Sequence, residues 1–572
     1  NLGLAILYDL LNGEPDVLAE RVFAPWTDME QALRAAGLPL FSLESRQPLG
    51  EFDVIGFSLP YEQSYTNLLN MLDMAGLPVL AADRDERHPL VVAGGGAVYN
   101  PEPMADFVDL FALGDGEELV LDITCAIREG KRKGDTREAL LHRLAEIPGV
   151  YVPRFYHVTY QQDGTVAEVR TTAPEAQLPV RKRIVTTLPP PLTRPVVPYL
   201  DTVHNRAVVE IQRGCTRGCR FCHAGMVYRP VRERPVGEIV DAVDAIVSNT
   251  GYDEIALLSL SSSDYSQIEM LVRELAARHG DRHLSISLPS LRIESVSVEL
   301  MEQLREAGRR SSFTFAPEAA TERLRGVINK PIAGQDLLDV VEEVYSRGWK
   351  TIKLYFMIGH PTQTLDDVAA IVDLATQVRA VGRRVLGRKA QVNVSVSTLV
   401  PKPHTPFQWV PLAEEEEIRA QQEYLKENLR GPGLKLNWNR YQETLLEAVL
   451  SRGDRRLGAA IHRAWQLGAR FDGWGDQFKV EAWRQAFQET GLEIGFYTQR
   501  ARALDEAFPW DHIDAGVSKR YLARDYEASL RGETRLDCRE QCYACGILTA
   551  FREERAELPV GAWGCPPVGE PT

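Results

Sequence analysis

The chain has 572 residues, of which 44% are hydrophobic and 25% charged, a composition typical of a globular protein with several domains. Its formal net charge of −15 argues against broad, nonspecific nucleic-acid binding. No run of about 18 apolar residues occurs, so we expect no membrane span. The first residues also lack the basic and apolar stretches of a signal peptide.

Residues 1–125 alternate between patterns typical of strands and patterns typical of helices. The expected strands cover residues 53–59, 90–96 and 109–114, and a helix is expected over 68–74. This alternation predicts an α/β, Rossmann-like, doubly wound sheet whose ligands lie at the carboxyl ends of the strands. Gly94 and Gly95 end one of these strands, and glycines at such a position let a ligand approach the backbone closely.

Four further segments follow this domain. Residues 126–204 form an expected connector, with strands at 149–153 and 155–160, a turn at 162–164 and a proline-rich linker. Residues 205–412 repeat a strand and then a helix about six times, which predicts a partial (β/α) TIM-type barrel with its active site at the carboxyl ends of the strands. The expected strands cover 207–212, 254–260, 284–288, 312–316, 351–356 and 392–396. Residues 413–530 are expected to be a helical extension, and 531–572 a cysteine-rich segment.

Seven of the eight cysteines fall in two groups, while Cys125 stands alone in an apolar pattern where we expect it to be buried. Grouped cysteines in a chain of this length indicate metal sites in a reducing compartment and not a disulfide framework. We therefore expect a cytoplasmic protein.

The first group, Cys215, Cys219 and Cys222, has the spacing C-x3-C-x2-C, with Phe221 just before the third cysteine. A 4Fe–4S cluster is fully ligated by four thiolates, so three leave one iron open. The alternative is a zinc site with His223 as fourth ligand. The spacing and the aromatic residue resemble the signature of the radical S-adenosylmethionine (radical SAM) superfamily. In that resemblance the three cysteines hold the catalytic cluster, and Phe221 stacks on the adenine or shields the cluster.

Residues at later strand ends follow in the order that the superfamily uses. By this resemblance, Ser259 and Ser261 contact the methionine amino group, and Glu318 holds the ribose hydroxyls or that amino group. Arg323 follows it as a further cofactor-binding candidate, and Gly359 lies in a turn beside the adenine.

The resemblance implies that S-adenosylmethionine is cleaved reductively to methionine and a 5′-deoxyadenosyl radical. It also implies a reducing partner such as flavodoxin or ferredoxin.

Residues 1–125 resemble the cobalamin-binding domain that is fused to many radical SAM enzymes, with Ser58, Gly94 and Gly95 at its later contact motifs. The Asp-x-His-x-x-Gly loop that supplies the cobalt-ligating histidine in that family has no match here, and Asn1 stands where the histidine would be. Cobalamin binding and a role as a packing domain both stay open.

The second group comprises Cys538, Cys542 and Cys545, which repeat the first spacing, and Cys565, which precedes a proline. Four cysteines could ligate a second 4Fe–4S cluster completely. A structural zinc ion is the alternative. A second cluster would relay electrons, anchor substrate or donate sulfur.

The whole chain resembles a family that fuses a cobalamin-binding-type domain, a radical SAM barrel and a cysteine-rich extension. This resemblance implies a transferase that modifies a larger substrate (RNA, a protein or a metabolite) by methyl or methylthio transfer. Residues 398–409 resemble a segment of radical methylthiotransferases, in which Lys402 and His404 would either face substrate or brace the loop. The alternative from another class is an iron–sulfur protein that senses redox state or iron without turnover.

Overall fold

The structure is a computed structural model that describes residues 2–200, 202–203, 205–279, 284–288, 292, 312–559 and 561–566. Its strands are β1 Val54–Ser58, β2 Leu90–Gly94, β3 Leu110–Ala112, β4 Val150–Tyr151, β5 Tyr156–Tyr160, β6 Val166–Thr171, β7 Val180–Arg181, β8 Ala207–Glu210, β9 Gln212–Arg213, β10 Arg232–Glu233, β11 Glu254–Leu258, β12 Ser285–Ser287, β13 Phe313–Glu318, β14 Thr351–Ile358, β15 Gln391–Thr398, β16 Leu434–Trp438 and β17 Ile513–Asp514. Each strand predicted from the sequence overlaps one of these, so those predictions are confirmed.

The described helices follow the same chain order. They are α1 Leu2–Gly13, α2 Thr27–Ala36, α3 Tyr65–Met74, α4 Gly116–Lys133, α5 Arg137–Ala145, α6 His223–Val227, α7 Val236–Thr250, α8 Ile268–His279, α9 Glu322–Val327, α10 Gly334–Ser346, α11 Leu365–Leu386, α12 Glu415–Asn428, α13 Tyr441–Arg452, α14 Leu457–Gln466, α15 Val480–Thr490, α16 Ile494–Thr498, α17 Lys519–Leu530, α18 Ile547–Ala550 and α19 Arg552–Ala556. Within the described ranges, no helix is both long and apolar enough to cross a membrane.

The chain folds into two compact units that do not follow the chain order. Unit 1 comprises Asn1–Val185, Lys402–His404 and Gln442–Gly516, and unit 2 comprises Thr186–Pro401, Thr405–Tyr441 and Val517–Thr572. Both cysteine groups therefore belong to unit 2. The five-part division expected from the sequence stays a prediction.

Unit 1 is built around a four-stranded sheet of order β1-β2-β3-β4, in which the first three strands are parallel and β4 is antiparallel. The apolar runs of β1 and β2 pair in register from Val54 with Leu90 to Ser58 with Gly94. The described strands follow one another in chain order, whereas a doubly wound sheet reverses its order once. The doubly wound arrangement therefore stays a prediction.

Unit 2 contains two parallel sheets, of order β12-β11-β8 and β13-β14-β15-β16. In β14 the side chains of Ile352, Leu354, Phe356 and Ile358 are buried and alternate with less buried neighbours. This alternation gives the sheet one apolar face. Helix α11 contributes an apolar stripe with spacings of three and four residues, the period of one helix face.

The structure contains a strand, β16, that the sequence analysis does not predict. β16 lies in the segment 413–530 that was expected to be helical, and it pairs in parallel with β15 from Val392–Leu434 to Val396–Trp438. Its sequence, Leu-Lys-Leu-Asn-Trp, alternates apolar and polar residues, and that alternation was the available signal.

Candidate active site

The first cysteine group lies in the loop between β9 and α6, directly after the first parallel strand of unit 2. The Sγ atom of Cys222 caps α6 by accepting a hydrogen bond from the backbone N–H of Gly225 at 3.3 Å. Burial, and to a smaller extent the proximity of Cys219, raises the pKa of Cys215 to about 11 and that of Cys222 to about 12. The three thiols therefore face one another, as the ligands of one cluster must.

Positive charges surround these thiols. The Arg292 guanidinium donates a hydrogen bond to the Cys219 Sγ atom at 3.6 Å, and it opposes the rise in the pKa of Cys215. Lys330 opposes the rise in the pKa of Cys222 in the same way. Nearby cations stabilise a thiolate, which is the form that binds a metal.

The loop that follows β11 is tied to the cysteine loop by one carboxylate. Asp264, whose side chain is 2% exposed, accepts two hydrogen bonds from the Arg217 guanidinium, at 2.6 and 3.0 Å. It also accepts one from the Ser261 hydroxyl at 2.6 Å, and Ser259 donates to Ser262 at 3.0 Å. The hydroxyls of Ser259 and Ser261 thus serve the loop itself, and their role toward a cofactor stays a prediction.

Glu318 ends β13 with a backbone φ of +63°, a left-handed conformation that is unfavourable for a residue with a Cβ atom. Its carboxylate accepts a hydrogen bond from Lys330 Nζ at 3.2 Å. Burial raises the pKa of Glu318, while Lys330 and Arg292 act in the opposite direction. Because these two cations also lie near the cysteines, Glu318 belongs to the same site.

Of the other predicted cofactor residues, Phe221 and Gly359 lie near the site, whereas Arg323 is held by residues outside it. Phe221 packs against the buried cluster that contains Ala319, next to Glu318. Gly359 follows β14 with a φ of +80°, and a Cβ atom there would lie 3.1 Å from Ile418 Cδ1. Arg323 is turned to other partners, since its half-exposed side chain is held by Asp367 and Thr362.

Thr398, at the carboxyl end of β15, has a buried hydroxyl group near this site. Its Oγ1 atom is buried and has no hydrogen-bond partner among the described residues. Its methyl group lies 3.6 Å from the position that a Cβ atom on Gly359 would take. A buried hydroxyl normally has a partner, so this site fits a polar ligand such as S-adenosylmethionine.

The four cysteines of the second group also converge. Burial, with smaller contributions from Cys565 and Cys545, raises the pKa of Cys538 to about 12. Burial likewise raises the pKa of Cys565 to about 11, with added contributions from Cys545 and Cys542. These mutual effects show that the four thiols lie near one another.

Within the described ranges, no three His, Cys, Asp or Glu side chains are arranged as ligands of a single metal ion. Four thiolates around one zinc ion would stand about 4 Å apart. A cube of four irons spreads its thiolates more widely, so this finding concerns a single ion and not a cube.

The second cysteine group is attached directly to the loop of the first. The backbone N–H of Cys538 donates to the carbonyl of Thr216 at 3.2 Å. The Thr216 hydroxyl donates to Asp537 Oδ2 at 2.7 Å, and Arg217 contacts the same carboxylate at 3.2 Å. These contacts could not be predicted from the sequence, because Thr216 and Asp537 are 321 residues apart.

A buried ion pair fixes the loop from another side. The side chains of Arg220, inside the cysteine loop, and Asp525, on α17, are fully buried and 3.1 Å apart. Arg220 also donates to the carbonyls of Gly326, Val327 and Glu533, at 2.8, 2.9 and 2.6 Å. Arg220 therefore joins the cysteine loop, α9 and the C-terminal segment.

Comparison with known proteins gives two family matches for this chain. Residues 209–375 match the Radical SAM superfamily, and residues 3–153 match the family described as Radical SAM proteins, N-terminal. The chain belongs to the radical SAM superfamily. Membership implies a 4Fe–4S cluster and S-adenosylmethionine, and the thiols of Cys215, Cys219 and Cys222 fit the cluster.

Three relatives show the range of this radical SAM chain's similarities. An uncharacterized protein of Methanocaldococcus jannaschii is 28% identical over 437 residues, or 74% of this chain and 83% of that protein. The ribosomal protein uS12 methylthiotransferase RimO of Methylococcus capsulatus is 22% identical over 276 residues, or 44% of this chain and 59% of that one. The radical S-adenosylmethionine methyltransferase TsrM from Kitasatospora setae, solved with tryptophan substrate and a SAM analog, has a TM-score of 0.46 and 15% identity, covering 72% of this chain and 74% of that one.

The N-terminal strand ends of this radical SAM protein bring Ser58, Gly94 and Gly95 together, since Ser58 pairs with Gly94. A Cβ atom on Gly95, whose φ is +113°, would lie 2.7 Å from the carbonyl oxygen of Leu59. The close approach of Leu59 therefore explains this glycine without a ligand.

The histidines of the N-terminal segment do not fit a cobalt ligand at these strand ends. His88 precedes β2 and accepts a hydrogen bond from the Asp85 backbone, while His142 lies on α5, 3.0 Å from Glu175. Asn1, the residue aligned with the missing histidine, lies outside the described residues. His88 and His142 therefore supply no histidine ligand at these strand ends.

The structure shows what Lys402 and His404 contact. Lys402 contacts Glu62 and Glu447, each at 2.9 Å, and His404 Nε2 lies 2.9 Å from the Tyr99 carbonyl. These contacts favour the bracing role over the substrate-facing one.

Cys125, which the sequence predicts to be buried, lies on α4 and is only partly buried.

We expect His360, which follows β14, to make the protein sensitive to acid. Burial lowers its pKa to about 4. An unfolded chain binds the proton near the ordinary value of about 6.5, so stability falls as the pH drops from 6.5 toward 4. Between pH 7 and pH 5 this one histidine costs about 2 kcal/mol.

Denaturant unfolding at pH 7 and pH 5 measures this effect. His360→Asn should lose about 2 kcal/mol less than wild type over that interval. His157→Asn, a change at an exposed position of β5, is the control and should behave as wild type. Equal losses in all three proteins would contradict the assignment.

Proposed function

We propose that this chain is a radical SAM enzyme that reductively cleaves S-adenosylmethionine and modifies a larger substrate by methyl or methylthio transfer. The observation that carries the proposal is the convergence of three thiols, Glu318 with Lys330, and the loop after β11. All of these follow parallel strands of unit 2, at the edge where such sheets bind ligands.

When bound at Cys215, Cys219 and Cys222, a 4Fe–4S cluster supplies an open iron and one electron for the sulfonium. The chain's own residues position the cofactor. In this proposal Glu318 accepts hydrogen bonds from the ribose hydroxyls or the amino group, and its contact with Lys330 supports that role because Lys330 limits the rise of its pKa. Phe221 and the apolar cluster behind it exclude water from the same region.

We propose that Cys538, Cys542, Cys545 and Cys565 hold a second 4Fe–4S cluster. The spacing of the first three repeats that of the first group, and a Cys-Pro end is a feature of ferredoxin clusters. The fourth thiol lies beside Cys545 and Cys542 and completes the set. Structural zinc is the competing ligand.

The transferred group in this proposal is either a methyl or a methylthio group. Similarity to a relative described as a methylthiotransferase supports sulfur transfer. The N-terminal domain would support methyl transfer if it bound cobalamin, but the positions of its histidines weigh against a histidine-ligated form. RNA, a protein and a metabolite are the substrate classes, and a flavodoxin or ferredoxin is the reducing partner.

The test is anaerobic incubation of reconstituted protein with dithionite and S-adenosylmethionine, followed by chromatography. We expect 5′-deoxyadenosine and methionine, with about eight irons per chain. Sulfide labelled with a heavy isotope distinguishes the two transfers, because only methylthio transfer places the label in a product. Absorption of cobalamin in the purified protein would favour methyl transfer.

An intact first cluster that yields no 5′-deoxyadenosine would contradict the proposal. That outcome would favour the iron–sulfur sensor, which binds its clusters without turnover. Zinc in place of iron at Cys215, Cys219 and Cys222 would remove the source of the radical.

A further inference from the structure

The two cysteine groups of unit 2 are connected by a very short path. Cys215 is joined by a peptide bond to Thr216, whose carbonyl accepts a hydrogen bond from the backbone N–H of Cys538 at 3.2 Å. One residue and one hydrogen bond therefore separate a ligand of the first group from a ligand of the second. Standard bond lengths limit the distance between the two Sγ atoms to about 17 Å, even at full extension.

Polar contacts on both sides hold this path in place. Thr216 and Asp537 are 2% and 6% exposed, and their side chains are hydrogen-bonded at 2.7 Å. Arg539 donates to Asp537 at 3.1 Å and to the Asp264 carbonyl at 2.9 Å. Contacts between buried charged groups are stronger than those at the surface. The two cysteine segments are thus joined by a fixed network.

A buried cation lies between the two groups. Arg229 donates to the carbonyls of Gly225 and Arg217, which belong to the first cysteine segment, at 3.0 and 3.4 Å. Its guanidinium also interacts with Cys538 and Cys545 of the second group. A fixed positive charge beside thiolates favours the gain of an electron at that centre.

We propose that the path Cys215–Thr216–Cys538 conducts electrons from the second cysteine group to the first. This inference rests on the proposed function, because both groups must hold iron–sulfur clusters. One electron from a low-potential donor of the flavodoxin or ferredoxin class enters at the second group and leaves through the path. It is consumed at the first group, where one carbon–sulfur bond of the sulfonium breaks and yields methionine and a 5′-deoxyadenosyl radical; no proton is exchanged.

The first test is magnetic and does not depend on turnover. Two reduced clusters this close should broaden each other's electron paramagnetic resonance signals and relax faster than isolated clusters. A variant with Cys538, Cys542 and Cys545 changed to alanine should contain about four irons instead of about eight and lose the broadening. Cys125→Ala, a change outside both groups, should keep both the iron and the broadening.

The second test displaces the path without touching a cysteine. A Cβ atom on Gly326 would lie 2.8 Å from the carbonyl oxygen of Gly532, so Gly326→Ala pushes the C-terminal segment away from α9. With a flavodoxin as donor, formation of 5′-deoxyadenosine should fall about tenfold or more. With dithionite, which reaches the first group directly, the rate should fall by a clearly smaller factor, and this smaller loss is expected because the Gly326 carbonyl also accepts a hydrogen bond from Arg220 in the cysteine loop. Gly334→Ala is the matched control, because no atom lies within 4 Å of its added methyl group.

The outcomes separate this inference from the proposed function. Two full clusters without magnetic interaction, or equal flavodoxin-driven rates with and without the second cysteine group, would overturn the electron path and leave the enzyme intact. Absence of 5′-deoxyadenosine with every reductant would overturn the proposed function itself.

Discussion

Replacement of Cys222 by serine is expected to lower 5′-deoxyadenosine formation by about three orders of magnitude or more, because it removes a ligand of the group that carries the chemistry. Serine is chosen because its hydroxyl can still accept the hydrogen bond from Gly225 N–H that caps α6. The change therefore tests the metal ligand while preserving the local fold.

Iron content should fall from about eight to about four per chain in this variant. Its free energy of unfolding, measured without metal, should stay within about 1 kcal/mol of wild type. Cys125→Ser is the control and should change neither quantity, since Cys125 lies on α4, in unit 1. Wild-type cleavage by the Cys222→Ser variant would contradict the assignment of the cluster.

Replacement of Asp525 by alanine should reduce the free energy of unfolding by about 3–5 kcal/mol. The change leaves Arg220 without its fully buried carboxylate, and it removes the partner of Arg535 at 2.9 Å as well. An uncompensated charge in the interior costs more than the intact pair contributes. Because Arg220 lies between two cluster ligands, iron at the first group should be lost together with stability.

Glu527→Ala is the matched control, since Glu527 is an exposed residue on the same helix. It should change the free energy of unfolding by no more than about 0.5 kcal/mol. Denaturant unfolding followed by circular dichroism measures both variants. If the two alanine variants were equally stable, the role of the buried pair would be disproved.

The parallel strands could be predicted because their apolar residues alternate with other residues over a short stretch between polar turns. Residues 351–356 and 392–396 show this alternation, and they form parts of β14 and β15. The first cysteine group was equally visible, because its three ligands occupy eight consecutive positions of one loop. Such patterns can be recognised because all of their residues are close together in the sequence.

The contacts that support the site could not be predicted in this way. Arg220 looked like one of many charged residues, and only folding shows that its partner lies 305 residues later. Ser259 and Ser261 were assigned to the cofactor, yet their hydroxyls also build the loop after β11. Arg323 was placed near the site by its position in the chain, but Asp367 holds its side chain elsewhere. Long-range pairing leaves no periodic signal in a single sequence.

The ion pair between Arg220 and Asp525 also has a consequence for biosynthesis. A ribosome that adds about 5–20 residues per second needs roughly 15–60 s to make the 305 residues between the two partners. During that interval the nascent cysteine loop has emerged without the carboxylate that secures it. The loop is therefore completed only after residue 525 has been made, and iron and sulfide that arrive before that point meet a cysteine loop without its buried carboxylate.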